Sequence, residues 1–76
     1  MLTATDLKTA IETHLTDAHA QVLGDDGVHF EALVTCPHFA GLGMLKQHQQ
    51  VYGALAAAGL RMGQEIHALA LKTNAA

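Results

Sequence analysis

The sequence predicts an α+β domain in the order α-β-β-α-α-β: a three-stranded sheet with helices on one face. Three patterns carry this expectation. Leu7, Ala10, Ile11 and Leu15 recur at helical spacing. Two alternating stretches flank a short Gly24-Asp-Asp-Gly27 turn, the signature of an antiparallel hairpin. A glycine-bearing helical passage then leads to a last alternating stretch, which reads as a returning strand.

The first helix is expected over Thr3 to Leu15. Thr3 can accept a backbone N–H from the first turn, and Asp6 stands three residues on, as in a capping box. Asp6 and Glu12 are expected to face outward. Ala18 to Leu23 reads as the first strand, with Ala18, Ala20 and Val22 inward. Val28 to Thr35 reads as the second, with Val28, Phe30, Ala32 and Val34 on one face. Pro37 ends it, because proline brings no donor to a ladder.

After Phe39 and a turn at Gly41, Leu42 to Gln50 is expected as a short helix and Val51 to Ala58 as a second. Gly53 costs a helix about 1 kcal/mol against alanine, which favours a break or bend there. Gly59 is a good helix stop. Glu65 to Leu71 is expected as the third strand, with Ile66, Ala68 and Ala70 opposed to His67, Leu69 and Leu71. Lys72 to Ala76 is expected to fray. A right-handed crossover is expected if the third strand runs parallel to a neighbour. All 76 residues form one domain, with an ordered core of about residues 3–73.

Composition narrows the function. The net charge is −3, and the four cations Lys8, Lys46, Arg61 and Lys72 are scattered, so no basic face is laid out for phosphates. The lone Cys36 cannot form an intramolecular disulfide, which fits a reducing compartment. No apolar run approaches a membrane span, and the first residues do not read as a signal peptide. The cytoplasm is the expected location. No nucleophile elbow, zinc-protease motif, phosphate loop or Cys-x-x-Cys pair is present, and no enzyme is expected. Asp25-Asp26 reads as a solvated turn rather than a carboxylate pair.

Six histidines are many for so short a chain. Histidine is the usual neutral metal ligand and titrates near physiological pH. By pattern alone, His67 and His29 are outward strand residues without a close-spaced partner. His48 reads as solvent-facing or helix-packing, and His14, His19 and His38 as surface residues. A two-iron cluster also needs thiolates, and this chain has one at most, so a partner must supply sulfur.

The ordered set Gly27-Val-His-Phe30, Phe39-Ala-Gly41, Lys46-Gln-His-Gln-Gln-Val-Tyr-Gly-Ala-Leu55, Ile66-His-Ala-Leu69 and Lys72-Thr73 resembles the BolA family. The short hairpin turn and the glutamine-rich block are similar to its IbaG (YrbA) branch. The resemblance runs from about Ala18 to Thr73. It implies a fold similar to a class II KH domain. It also implies partnership with a monothiol glutaredoxin in binding and passing on a [2Fe-2S] cluster, tied to iron homeostasis and stress response. In such complexes the glutaredoxin cysteine and glutathione supply sulfur, and the histidine of the Ile-His-Ala motif, His67 here, is a ligand.

Three departures from the family pattern stand out. The family places a second ligand, Cys or His, between the first two strands; Gly24 to Gly27 has neither, and His29 is the nearest candidate. An Arg-His-Arg block reads Gln47-His48-Gln49. The usual Thr-Pro-containing tail is absent after Lys72-Thr73. The leading expectation is therefore a cluster-sharing adaptor with metal ligands His67 and His29. A DNA-binding regulator using residues 39–55, with Lys46, His48 and Tyr52 in contact, is the alternative. A histidine-based pH or stress switch is a third reading, and a homodimer is left open.

Overall fold

The computed structural model describes residues 1–75. Helix α1 (Ala4–His14) leads into strands β1 (His19–Leu23) and β2 (His29–Thr35), a 3-10 turn (Pro37–Phe39), helix α2 (Met44–Ala57) and strand β3 (Ala68–Asn74). The α+β class is as expected. The sheet order is β1-β2-β3, with β1 antiparallel and β3 parallel to the central β2.

Helix α1 starts where the sequence places it. The Asp6 N–H donates to Thr3 Oγ1 at 3.1 Å, and the Thr3 N–H donates to Asp6 Oδ2 at 2.9 Å, a full capping box. Leu7, Ala10, Ile11 and Leu15 are buried. Asp6 is exposed, but Glu12 is only half outward. Its Oε2 accepts from Lys8 Nζ at 2.8 Å and from the Ala20 N–H at 2.9 Å. Those bonds, the Lys8 ammonium first and the Ala20 amide second, hold the Glu12 carboxyl below its ordinary value.

The hairpin register aligns Ala20 with Val34 and Val22 with Ala32. The inward faces of β1 and β2 meet Phe39, Val51, Ala54 and Leu55 in one core beneath the helices. Gly24 is required at the turn: a Cβ there would lie 2.6 Å from Phe30 Cδ1 and 2.7 Å from the His29 carbonyl oxygen.

Three expectations are corrected. The two helical stretches after Gly41 form one helix, α2, with Gly53 inside it. Nothing approaches the Gly53 site, and the buried stripe Val51, Ala54 and Leu55 outweighs a propensity cost of about 1 kcal/mol. The separate helical piece is the earlier Pro37–Phe39 turn. Helix α2 ends as expected: the Leu60 N–H donates to the Leu55 carbonyl and the Gly59 N–H to the Ala56 carbonyl, both at 2.9 Å, with Gly59 at φ 80°.

The third correction is β3. It starts at Ala68, three residues later than expected, and takes in Lys72, Thr73 and Asn74, which were expected to fray. Its inward residues are Leu69 and Leu71, with Thr73 on the same face; Ala70 and Lys72 face outward. That reverses the expected facing. Pairing with β2 decides it, since Phe30 aligns with Leu69 and Ala32 with Leu71. Ile66 is fully buried, but it closes a loop bridge with Met62 instead of joining the ladder. Ala76 of the expected tail lies outside the described residues.

Candidate functional site

The hairpin turn carries the first candidate ligand. Asp26 Oδ1 accepts the N–H groups of Val28 and His29, each at 2.8 Å, and Asp26 Oδ2 lies 2.9 Å from His29 Nδ1. The His29 amide, then the His29 imidazole, then the Val28 amide hold the Asp26 carboxyl far below its ordinary range. An ionised carboxylate only accepts, so in the neutral imidazole His29 Nδ1 carries the proton and Nε2 keeps its lone pair. Carboxylate-backed imidazoles of this kind are the usual form of a histidine metal ligand. Both side chains are open to solvent.

The second candidate is fixed from both sides along the chain. Before it, the Ile66 N–H donates to the Arg61 carbonyl at 3.1 Å and the Gly63 N–H to the Ile66 carbonyl at 2.8 Å. After it, the Ala68 N–H donates to the Val28 carbonyl at 3.1 Å, opening the β2–β3 ladder. His67 stands at the bend between these anchors, exposed. His29 aligns with Ala68, the next residue after His67. The parallel pairing thus carries two histidines distant in sequence to the same end of neighbouring strands. His67 lies just outside the ladder, where an outward strand position was expected.

No cysteine thiol lies at that end. Cys36 follows the opposite end of β2, is fully buried, and its Sγ–H donates to the Thr16 carbonyl at 3.4 Å. Such burial suits a small packing side chain. Among the described residues, no group of three His, Cys, Asp or Glu side chains is arranged to hold a metal ion. Two imidazoles can occupy part of a coordination sphere, and the remaining ligands must come from another molecule.

Lys46, His48 and Tyr52 sit on α2, in the helical layer. Lys46 is exposed beside a shallow groove bordered by His14, Leu42 and Gly53. His48 and Tyr52 are half-buried one turn apart, their rings edge to face with centroids 6.4 Å apart. His48 Nε2 is buried and has no hydrogen-bond partner among the described residues. His14, His19 and His38 are exposed, as expected.

Sequence reasoning missed two side-chain partners. Asp26 was read as a solvated turn residue, which it is, but it also orients His29. The Asp-x-x-His spacing at the hairpin end is the signal that points to it. Asp17, at positive φ of 64°, lies 2.9 Å by Oδ2 from His38 Nε2, a pairing across 21 residues that no local pattern announces.

A family model described as BolA-like protein matches residues 1–76. Among solved structures, a BolA protein homologue from Coxiella burnetii is 45% identical, with a TM-score of 0.83, covering 99% of this chain and 92% of that one. The XC975 protein is 40% identical, with a TM-score of 0.62 and coverage of 96% and 88%. The BolA domain of SufE1 from Arabidopsis thaliana shares the fold at 20% identity, with a TM-score of 0.72 and coverage of 99% and 95%. No curated protein matches the chain significantly.

Proposed function

The chain belongs to the BolA-like family, and we propose from that premise that it is a non-enzymatic adaptor that partners a monothiol glutaredoxin to bind or pass on a [2Fe-2S] cluster. The cluster is cargo shared between the two proteins. The glutaredoxin cysteine and glutathione supply sulfur, and His67 supplies nitrogen, with His29 as the second imidazole. The role belongs to cluster trafficking or iron homeostasis in the cytoplasm. The short Gly24–Gly27 turn and the Gln47-His48-Gln49 block favour the IbaG (YrbA)-like branch.

One observation carries this reading: the β2–β3 register sets His29 beside Ala68, next to His67, at a solvent-open end of the sheet that Cys36 does not reach. An imidazole pair with no thiolate suits a cluster whose sulfur arrives with a partner. The Asp26 carboxylate fixes the tautomer of His29 that leaves Nε2 able to bind metal.

The test mixes the purified protein with a [2Fe-2S]-loaded monothiol glutaredoxin and glutathione. Visible absorption and circular dichroism should change on mixing, and His67→Ala should remove the change. A spectrum that ignores the added protein, or responds equally to His67→Ala, removes the ligand assignment. The DNA-binding alternative gains no specific support, since Lys46 is the single cation on α2 and His48 and Tyr52 are half-buried.

A further inference from the structure

Strand β3 is an edge strand, and its free edge has a defined pattern. The Ala68 N–H donates to β2 at Val28, and the Asn74 carbonyl accepts from Cys36 beyond the end of β2. Strand backbones alternate, so Ala68, Ala70, Lys72 and Asn74 spend their amide groups on the β2 side. Leu69, Leu71 and Thr73 therefore turn their N–H and C=O groups to the open edge. Among the described residues no backbone group bonds to them there. Leu69 and Leu71 are also only half covered by the helical layer, unlike Phe30 and Ala32 beside them. The edge has no proline and no bulge, two of the usual blocks to strand addition, and Lys72 is its one charge.

We propose that two copies of this chain associate through β3, antiparallel about Leu71, to form one continuous six-stranded sheet. The observation behind it is the self-complementarity of Ala68–Asn74. About Leu71, Leu69 faces Thr73 of the second copy and Leu71 faces its own counterpart. These are the residues with free amide groups, so every free group of the strand finds a partner. Inward residues meet inward residues, and Leu69 and Leu71 gain cover.

Charge selects the same pairing. Lys72 faces Ala70 of the second copy, so like charges are not opposed. Glu31 aligns with Ala70 within one chain. Lys72 and Glu31 stand on the open sheet face, and neither is in an ion pair among the described residues. In the dimer Lys72 lies two strands, about 10 Å, from Glu31 of the second copy, with only the small Ala70 between them. A lysine and a glutamate reaching toward each other span that gap. The seam is narrow, well under the roughly 1,000 Å² of a stable interface, so the dimer is weak and concentration-dependent.

The test uses the whole chain without any glutaredoxin, so it is independent of the cluster reading. Sedimentation velocity over a concentration series should show a monomer–dimer equilibrium. Ala70→Lys opposes two lysines at each end of the seam and should weaken the dimer on the order of tenfold. The site is exposed and beside Glu31, so that variant keeps its fold, which far-ultraviolet circular dichroism checks. Ala70→Glu, facing Lys72, should tighten it, more so at low salt. An equimolar mixture of Ala70→Cys and Lys72→Cys chains should, on mild oxidation, give the mixed cross-link over either homodimer. A monomer at every concentration overturns the proposal. So does a dimer indifferent to both Ala70 charge variants, or one without preference for the mixed cross-link.

Discussion

Asp26 binds His29 twice: one carboxylate oxygen accepts its N–H at 2.8 Å and the other faces its Nδ1 at 2.9 Å. The hairpin turn and the candidate ligand are therefore one unit. Asp26→Asn keeps the shape of the side chain but replaces an acceptor-only group with one that no longer holds the Nδ1–H tautomer firmly. Loss of a ligand's outer partner commonly weakens metal binding by about 10–100-fold. Titration of cluster-loaded glutaredoxin with Asp26→Asn should show a right-shifted dichroism curve, with His29→Ala shifted at least as far. A curve superposed on wild type would separate Asp26 from the site.

The same carboxylate gives stability a pH dependence of fixed sign. The folded state lowers the values of Asp26 and Glu12, so each binds protons less readily than in the unfolded chain. Their stabilisation is fully present above the unfolded carboxylate range near pH 4 and is lost as pH falls through the depressed folded values. Thermal unfolding followed by circular dichroism should be flat from about pH 7 to 5 for these two groups and decline below about pH 4. In Asp26→Asn and Glu12→Gln the acid decline should be shallower, and their deficit against wild type should shrink toward pH 3.

What the sequence could disclose follows the range of each interaction. Helix α1 was legible to its cap because Thr3, Asp6 and the Leu7–Leu15 stripe interact within a few residues. The hairpin was legible because Ala20, Val22, Phe30, Ala32 and Val34 alternate about a glycine turn. Strand β3 was misplaced because Glu65-Ile-His-Ala68 alternates as well as the true strand does. Only the register against β2, more than thirty residues earlier in the chain, separates buried Ile66 from the ladder and chooses the inward face. The site divides in the same way. His67 and His29 were named as single residues, one from a motif and one from its position. Their convergence is a product of the parallel pairing, and Asp26 enters through a side-chain bond that hydropathy cannot register.

Glycine substitutions at two positions should act with opposite signs. A Cβ at Gly24 would meet Phe30 Cδ1 at 2.6 Å and the His29 carbonyl oxygen at 2.7 Å, and the carbonyl belongs to a strand that cannot give way. Gly24→Ala should destabilise by about 1–3 kcal/mol. Nothing lies within 4 Å of a Cβ at Gly53, inside α2. Gly53→Ala should stabilise by up to about 1 kcal/mol through helix propensity alone. Urea unfolding of both variants measures the difference. A destabilised Gly53→Ala would mean that α2 needs flexibility at its middle.

A core substitution sets the scale for those effects. Leu55 is fully buried on α2, beneath the sheet, and also caps the helix end through its carbonyl. Leu55→Ala removes packed methyl groups and should cost about 2–5 kcal/mol. A chain of this length has a total stability of roughly 4–11 kcal/mol. The urea midpoint should therefore fall steeply, leaving a substantial unfolded fraction at 37 °C. Leu45, exposed on the first turn of α2, is the matched control, and Leu45→Ala should stay within about 0.5 kcal/mol of wild type.

Beside the apolar packing of Leu69 and Leu71, a polar chain joins α2 to β3. Thr73 Oγ1 donates to Gln47 Oε1 at 2.7 Å, and Gln47 Nε2 donates to the Leu42 carbonyl at 2.8 Å. The contact is part-buried and joins the start of the helix to the end of the strand. Thr73→Val leaves the Gln47 oxygen without its donor, while Gln47→Ala leaves the Thr73 hydroxyl without its acceptor. Each should cost about 1 kcal/mol. The double variant should cost clearly less than the sum, because the second substitution removes a group already unpaired. Urea unfolding of the four proteins gives the coupling directly. Strictly additive losses would mean that each group finds water as good a partner, and that burial of Leu69 and Leu71 alone holds β3 against the helical layer.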